Sequence, residues 1–261
     1  MARKSEIIAV VPARYGSTRL PGKPLLNETG RPLIRHVVDA ARKSKRVDRV
    51  IVATDDRRIL DAVVGFGGEA MLTRADCASG TDRVAEVAAA IPEASIVVNV
   101  QGDEPEIEGE SIDLLVDLLV EADPTIAMAT LATPIFEPAV FHDASCVKVV
   151  TSKRGTALYF SRSPIPYDRD GSIAPGTPLG HLHLGLYAYR RDFLTRYAAM
   201  PPTPLEMIEK LEQLRALETG ATILVGIVNR AAVGIDTPED YKRFVERYRA
   251  SEQADEQSSI L

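Results

Sequence analysis

Four stretches of this chain, EIIAVVPA, VDRVIVATDD, SIVVNVQGDEP and TIAMATLATPI, each hold a short apolar run rich in β-branched residues. The runs do not alternate with polar residues, so each predicts a strand buried on both faces. Between them lie segments with a helical repeat. GRPLIRHVVDAARKSKR carries Leu33, Val37, Ala40 and Ala41 at that spacing, with Pro32 suited to a first helical position and Lys43, Lys45 and Arg46 to a last turn. RRILDAVVGFG, ending at Gly65 or Gly67, and GESIDLLVDLLVEAD are two more. Strands that alternate with helices admit few solutions. The pattern requires a mostly parallel sheet with helices on both faces.

The fold class that follows is α/β, a Rossmann-like mostly parallel sheet flanked by helices. Ligands of such sheets bind at the carboxyl ends of the strands. Three of those ends carry polar residues: Arg14 and its loop, Thr54-Asp55-Asp56, and Gln101-Gly102-Asp103-Glu104. They are expected on one rim. From about residue 135 the pattern loosens into a smaller mixed α/β lobe. SCVKVVTSKRGTALYFSRSPIPYDRDG reads as strands and an extended segment, because Pro164 and Pro166 exclude regular helix. HLHLGLYAYRR reads as a strand and ATILVGIVN as another. TPLEMIEKLEQLRALETG reads as one helix, with Leu205, Ile208, Leu211 and Leu214 on a face and Gly220 as its stop. IDTPEDYKRFVERYR opens a helix with Thr237 as N-cap and Pro238 at N1. ASEQADEQSSIL, residues 251–261, lacks a core pattern and reads as a frayed tail.

The net charge of −6 gives no support to general nucleic-acid binding. The cations near the N-terminus are therefore local, which suits a small anionic ligand. Cys77 and Cys146 form no metal-ligand spacing and no disulfide framework, which fits a reducing cytoplasm. No segment is long enough to span a membrane. The apolar run Ile7 to Val11 is too short for a secretion signal.

VVPARYGSTRLPGKPL carries Arg14, Arg19 and Lys23 on a loop with Gly16 and Gly22. Glycines let backbone N–H groups approach an anion, and the cations add fixed charge. That combination reads as a triphosphate cradle. A solvated basic loop is the other reading. It is not a Walker A loop: five residues separate the glycines, and Lys23 precedes Pro24 rather than Ser or Thr. Asp103, just past a buried strand, reads either as a Mg²⁺ ligand or as turn chemistry with Gly102. Asp236 reads as a second ligand or as a helix-start residue. In TRADCASGTDRVAEV, Ser79 to Asp82 read as backbone facing a base edge or as a helix cap. His183 on its strand reads first as structural, and His36 as structural or surface.

These motifs, together with VIVATDD, VNVQGDEP, ALYFSRSPIPYDRD, HLGLYAYRR, PLEMIEKLEQLRAL and GIDTPEDYKR, fall in an order and spacing that resembles the 3-deoxy-manno-octulosonate cytidylyltransferases, or CMP-Kdo synthetases. The resemblance runs from about Ile7 to Arg249. The first motif marks the wider sugar nucleotidyltransferases, and ALYFSRSPIP with LEQLR narrows the match. The family joins CTP to Kdo, giving CMP-Kdo for lipopolysaccharide synthesis and pyrophosphate, with Mg²⁺.

The resemblance implies catalytic roles for Lys23, Asp103 and Asp236, with both aspartates on metal. It implies CTP contacts from Ala13, Arg14, Gly16, Ser17, Lys23, Arg74, Ser79, Gly80, Thr81 and Asp82. It implies sugar contacts from Arg19, Gln101, Arg162, His183, Tyr187, Glu212 and Gln213. It further implies one nucleotidyltransferase domain over 1–250, its nucleotide part at about 1–134 plus 222–250 and its sugar and dimerisation lobe at about 135–221, in a cytoplasmic homodimer. Leu182 stands where the family carries a basic residue. A related acidic sugar, 8-amino-Kdo or a sialic-acid-like acid, is accordingly the second substrate reading.

Overall fold

β1 (Glu6–Ala13), β2 (Arg49–Thr54), β3 (Glu69–Leu72) and β4 (Ala94–Asn99) form a parallel ladder in the order β3-β2-β1-β4. The structure is a computed structural model that describes residues 5–16 and 19–258. Ile8, Ala9, Val10 and Val11 are all fully buried, so β1 is covered on both faces as its unbroken apolar run requires. α1 (Leu33–Ala41), α2 (Arg57–Gly65) and α4 (Gly109–Glu121) pack on one face of the sheet. α3 (Gly80–Ala90), α6 (Arg191–Ala198) and α8 (Gln213–Glu218) pack on the other.

Beyond β4 the sheet is mixed. β8 (Gly180–Arg190) lies between β4 and β5 (Met128–Ile135), antiparallel to both, and β9 (Ile223–Ile227) continues parallel to β5. β6 (Lys148–Thr151) and β7 (Ala157–Ser161) form a hairpin whose first strand pairs with the start of β8. α5 (Pro138–His142) and α7 (Pro204–Glu209) complete this part of the chain. α9 (Pro238–Ser258) closes against Leu20, Leu33 and Ile235 through Tyr241, Phe244 and Val245. His36 is buried, bonded to Thr29 Oγ1 and packed against the rings of Phe244 and Tyr248.

Four local expectations change. β3 carries few buried apolar residues, and the sequence pattern missed it. α1 ends at Ala41, so Lys43, Lys45 and Arg46 lie in the following turn, where Ser44 donates to Asp113. The region 251–258 continues α9 rather than ending it, with residues 251–254 exposed as their polar character demands. The single helix expected over 204–218 is two. Lys210 takes a left-handed conformation, φ 55°, between α7 and α8. Arg162 Nε donates to Glu209 O at 2.7 Å, and Glu209 accepts from Ser161 Oγ and Arg162 N, so tertiary bonds take over where the helix would have continued.

Lys148 anchors this second part. It is fully buried, and its ammonium donates to the carbonyls of Asp143 (2.8 Å), Cys146 and Arg162 (2.6 Å). Burial holds its pKa below the usual lysine range. Lys148→Met would leave three carbonyls without that donor, at about 1 kcal/mol or more each. The urea midpoint of this variant should fall by the equivalent of about 3 kcal/mol. An unchanged midpoint would show that the three bonds contribute nothing net.

Candidate active site

The loop after β1 is fixed at its neck and on one flank. Gly22 N donates to Tyr15 O at 3.1 Å, closing the loop, and Gly22 has φ 68°, a region that favours glycine. The Tyr15 ring packs on Gly22 and lies 3.4 Å beneath the Arg58 guanidinium. Asp56 caps α2 through Arg58 N and grips the Arg58 side chain at 2.6 and 2.9 Å. The loop is thus pinned to α2, and a short 3-10 turn, Lys23–Leu25, follows. Arg14 and Gly16 stay exposed at the rim. Ser17 lies outside the described residues.

Lys23 points back beneath this loop. Its Nζ donates to Asp103 Oδ2 at 2.8 Å and to Ile235 O at 2.7 Å, and it lies 3.4 Å from Asp236 Oδ1. Arg19 Nη2 meets the same Asp236 oxygen at 3.0 Å. The backbone fixes the two aspartates relative to each other, because Ile235 N donates to Asp103 O at 2.9 Å. Thr237 and Asp240 cap α9 reciprocally: Asp240 N donates to Thr237 Oγ1, and Asp240 Oδ2 accepts from Thr237 N. Hydrogen bonds to the same carboxyl from the Thr237 hydroxyl and from Arg243 hold Asp240 well below its usual range. Asp236 is left free for the cleft.

The neighbouring Glu104 adds no charge to this pair. Burial, and secondarily the Asp103 carboxylate, push it up to about 8, so it is uncharged at neutral pH. It lines a small cavity beneath the turn with Leu131, Leu184 and Arg230. Among the described residues no third carboxylate, histidine or cysteine joins the aspartates in a metal-binding group. The pair nevertheless fits a cation, because the Lys23 ammonium already bridges both carboxylates. A Mg²⁺ ion held by two aspartates would draw its other oxygens from phosphate and water.

These groups line a cleft of about 490 Å³ with Ala13, Arg14, Gly16, Gly80, Arg83, Gln101 and Gly102. Arg83 is a member the sequence reading missed. It is 1% exposed on α3, and it donates to Asp55 Oδ2 at 2.6 Å and Thr73 Oγ1 at 2.8 Å. The signal was present: Arg83 falls one turn before Val87 on the apolar side of its helix, where a charge needs a partner. Ser79 and Asp82 form a reciprocal cap at the start of α3, so their side chains serve the helix while Gly80 faces the cleft. Arg74 is turned away from the cleft, toward Glu86 and Asp76 on the outer side of α3.

The residues expected around a sugar divide similarly. Gln101 Nε2 donates to Gly185 O at 2.6 Å, joining the cleft to β8. Glu212 accepts from Thr81 Oγ1 at 2.7 Å, which ties α8 to the start of α3. His183 packs edge-on against Phe160 and near Tyr187. The Thr130 hydroxyl lies within hydrogen-bond distance of His183 Nε2 (3.0 Å) and of the carbonyls of Leu184 and Leu186. Burial holds His183 down at about 3 and keeps it neutral. Gln213 is buried with its Nε2 unpaired. Arg162 spends its guanidinium on the carbonyls of Ala144, Glu209 and Lys210, so here it straps the lobe together. Arg19 lies on Asp236 in the cleft, and among the described residues no contact joins it to the β8 group.

A family model described as Cytidylyltransferase matches residues 8–223. A 3-deoxy-manno-octulosonate cytidylyltransferase of Syntrophotalea carbinolica is 51% identical over 242 residues, which is 91% of this chain and 96% of that protein. The chain belongs to the 3-deoxy-manno-octulosonate cytidylyltransferase family. A second 3-deoxy-manno-octulosonate cytidylyltransferase, from Geobacter sulfurreducens, is 48% identical over 93% of this chain and 99% of its own. The solved structure of a CMP:2-keto-3-deoxy-manno-octonic acid synthetase complexed with CTP superposes with a TM-score of 0.89 at 44% identity. It covers 95% of this chain and 100% of its own.

Proposed function

We infer that this protein transfers CMP from CTP to the anomeric hydroxyl of 3-deoxy-D-manno-octulosonate, giving CMP-Kdo and pyrophosphate. The observation that carries the reading is the cleft at the ends of β1 and β4. Two aspartates fixed by one backbone bond, a lysine and three arginines face a space sized for a nucleotide triphosphate. The sugar oxygen attacks the α-phosphorus, the bond to the β-phosphate breaks, and pyrophosphate leaves with the electron pair. The hydroxyl proton goes to solvent. Arg14 and Lys23 neutralise the triphosphate, and Gly80 brings backbone close to the nucleotide. Gln101 spans the nucleotide strand and β8, where the neutral His183 and Tyr187 form the sugar wall. Asp103 and Asp236 would hold Mg²⁺, which when bound neutralises charge at the reacting phosphate and lowers the pKa of the attacking hydroxyl. Most of the rate then comes from positioning and preorganised charge. The test is pyrophosphate release from CTP with a panel of acidic sugars. Kdo should exceed 8-amino-Kdo and sialic acids in kcat/KM. Equal or greater turnover of another acid would reassign the substrate, and no release with any acid would remove the reading.

The protein acts as a homodimer through the second lobe. Supporting this, α7 exposes Met207 (52%) and Ile208 (77%), and the same lobe exposes Leu158 and Tyr167. Apolar side chains gathered on one lobe suit an interface. Ile208→Asp should shift the species seen by light scattering from dimer to monomer at micromolar protein. A wild-type monomer, or a dimer indifferent to this change, would remove the assignment. We place the reaction in the cytoplasm. The free thiols of Cys77 and Cys146 suit it, and among the described residues no helix is long and apolar enough to cross a membrane.

A further inference from the structure

The Lys23 ammonium has three N–H donors, and each faces an oxygen of the protein: Asp103 Oδ2, Ile235 O and Asp236 Oδ1. The side chain is 14% exposed, so water offers little in exchange. A lysine so bonded has no donor left for a phosphate. It also fills the space between the two carboxylates, which is where a divalent ion would have to sit. The local charges balance: Lys23 and Arg19 stand against Asp103 and Asp236.

We propose that Lys23 is a placeholder cation, and that metal and nucleotide enter this site as a coupled exchange. The proposal rests on the cytidylyltransferase reading for the identity of the nucleotide. In the free protein the ammonium keeps two neighbouring carboxylates compensated and excludes a divalent ion by occupying its place and by charge repulsion. CTP brings several negative charges to the loop. Its phosphates draw Lys23, and with it the more exposed Arg19, off the aspartates. The carboxylates of Asp103 and Asp236 are then bare and would hold the ion. Nucleotide and metal therefore each raise the other's affinity by the same factor, as linkage requires. One flexible side chain does both jobs, which a four-carbon stem permits and a fixed backbone donor would not.

The test uses Mn²⁺ as the probe ion, with free Mn²⁺ measured by electron paramagnetic resonance in the absence of sugar. Wild-type protein alone should bind Mn²⁺ weakly, and CTP should tighten it by about tenfold or more, within the usual range of coupling between sites. Lys23→Gln, without CTP, should bind Mn²⁺ about tenfold more tightly than wild type, although a group implied in catalysis has been removed. Lys23→Arg keeps a cation between the aspartates and should stay as weak as wild type. Equal Mn²⁺ affinity in wild type and a folded Lys23→Gln overturns the proposal. So does a tenfold gain in Lys23→Arg, which covers the case in which the glutamine variant does not fold. Failure of the wild-type protein to bind CTP would instead sink the nucleotide reading, while the CTP-free comparison would still decide the role of Lys23.

Discussion

Asp103→Asn should lower kcat/KM about a thousandfold, with the fold intact. The substitution keeps the shape of the side chain and removes its charge. Lys23 would retain Ile235 O and Asp236, and the backbone bond from Ile235 to Asp103 would be unaffected. Stability should therefore change little. Catalysis should change greatly, because on the proposed reading the substitution removes a metal ligand and the charge it would direct at the reacting phosphate. An ion in such a site contributes several kcal/mol to the transition state, and about 4 kcal/mol corresponds to a factor of about a thousand. Steady-state pyrophosphate release at saturating Mg²⁺ is the measurement, with a thermal melt beside it. Near-normal turnover would remove Asp103 from the metal. A large drop in melting temperature would show instead that the carboxylate was a structural counter-ion to Lys23.

Gly102→Ala is the second substitution with a large expected effect, and it acts by steric means. A Cβ at this position would lie 2.4 Å from Pro12 O, a backbone atom of β1, whereas real Cβ contacts essentially never fall below 3.0 Å. The turn would have to retreat by about 0.6 Å, the difference between those two distances. Both sides of the clash are backbone, so no side chain can swing aside. Asp103 and Gln101 flank the glycine, and they would move with it. Overpacking of this kind costs about 1–3 kcal/mol. A displacement approaching 1 Å at a catalytic group can cost about a hundredfold in rate. The variant should thus lose stability and kcat/KM together, by about 2 kcal/mol and a hundredfold. Wild-type kinetics would mean that the turn has slack the packing does not reveal.

The parts of the fold that were legible in the sequence are those that local physics dictates. Runs such as IIAVV have one stable destination, a strand covered on both sides, and β1 occupies it. The cap at Thr237 is equally local, since four residues of chain contain the whole interaction. What the sequence hid depends on distant partners. β8 looks like any alternating strand, and nothing in its residues says that it lies between β4 and β5. The helix expected over 204–218 breaks at Lys210 because Arg162, far away in the chain, takes carbonyls there. Arg74 was carried into the nucleotide site by its motif, but Glu86 on the next helix holds it outside. Arg83 went unnoticed although its place on an apolar helix face called for a partner. The loop with Arg14, Arg19 and Lys23 was recognisable as an anion cradle. That its lysine would sit between two aspartates was not, because a pattern of cations reveals their number and not their counter-ions.

The position of β8 limits how this chain can be divided. The strand comes from residues 180–190, late in the chain, yet it bridges two halves of the sheet that would otherwise not pair. A piece ending near residue 134 would contain β4 and β5 with bare edges where β8 belongs, and such edges invite association with other chains. Exchanging the second lobe for that of a relative would meet the same obstacle. The incoming lobe must bring a strand whose register suits β4, where Asn99 stands opposite Tyr187, and β5, where Ala132 stands opposite His183. The residues proposed to judge the sugar are thus stitched rung by rung into the sheet, Tyr187 beside β4 and His183 beside β5. New sugar preferences would be reached by changing side chains along β8 more readily than by trading modules.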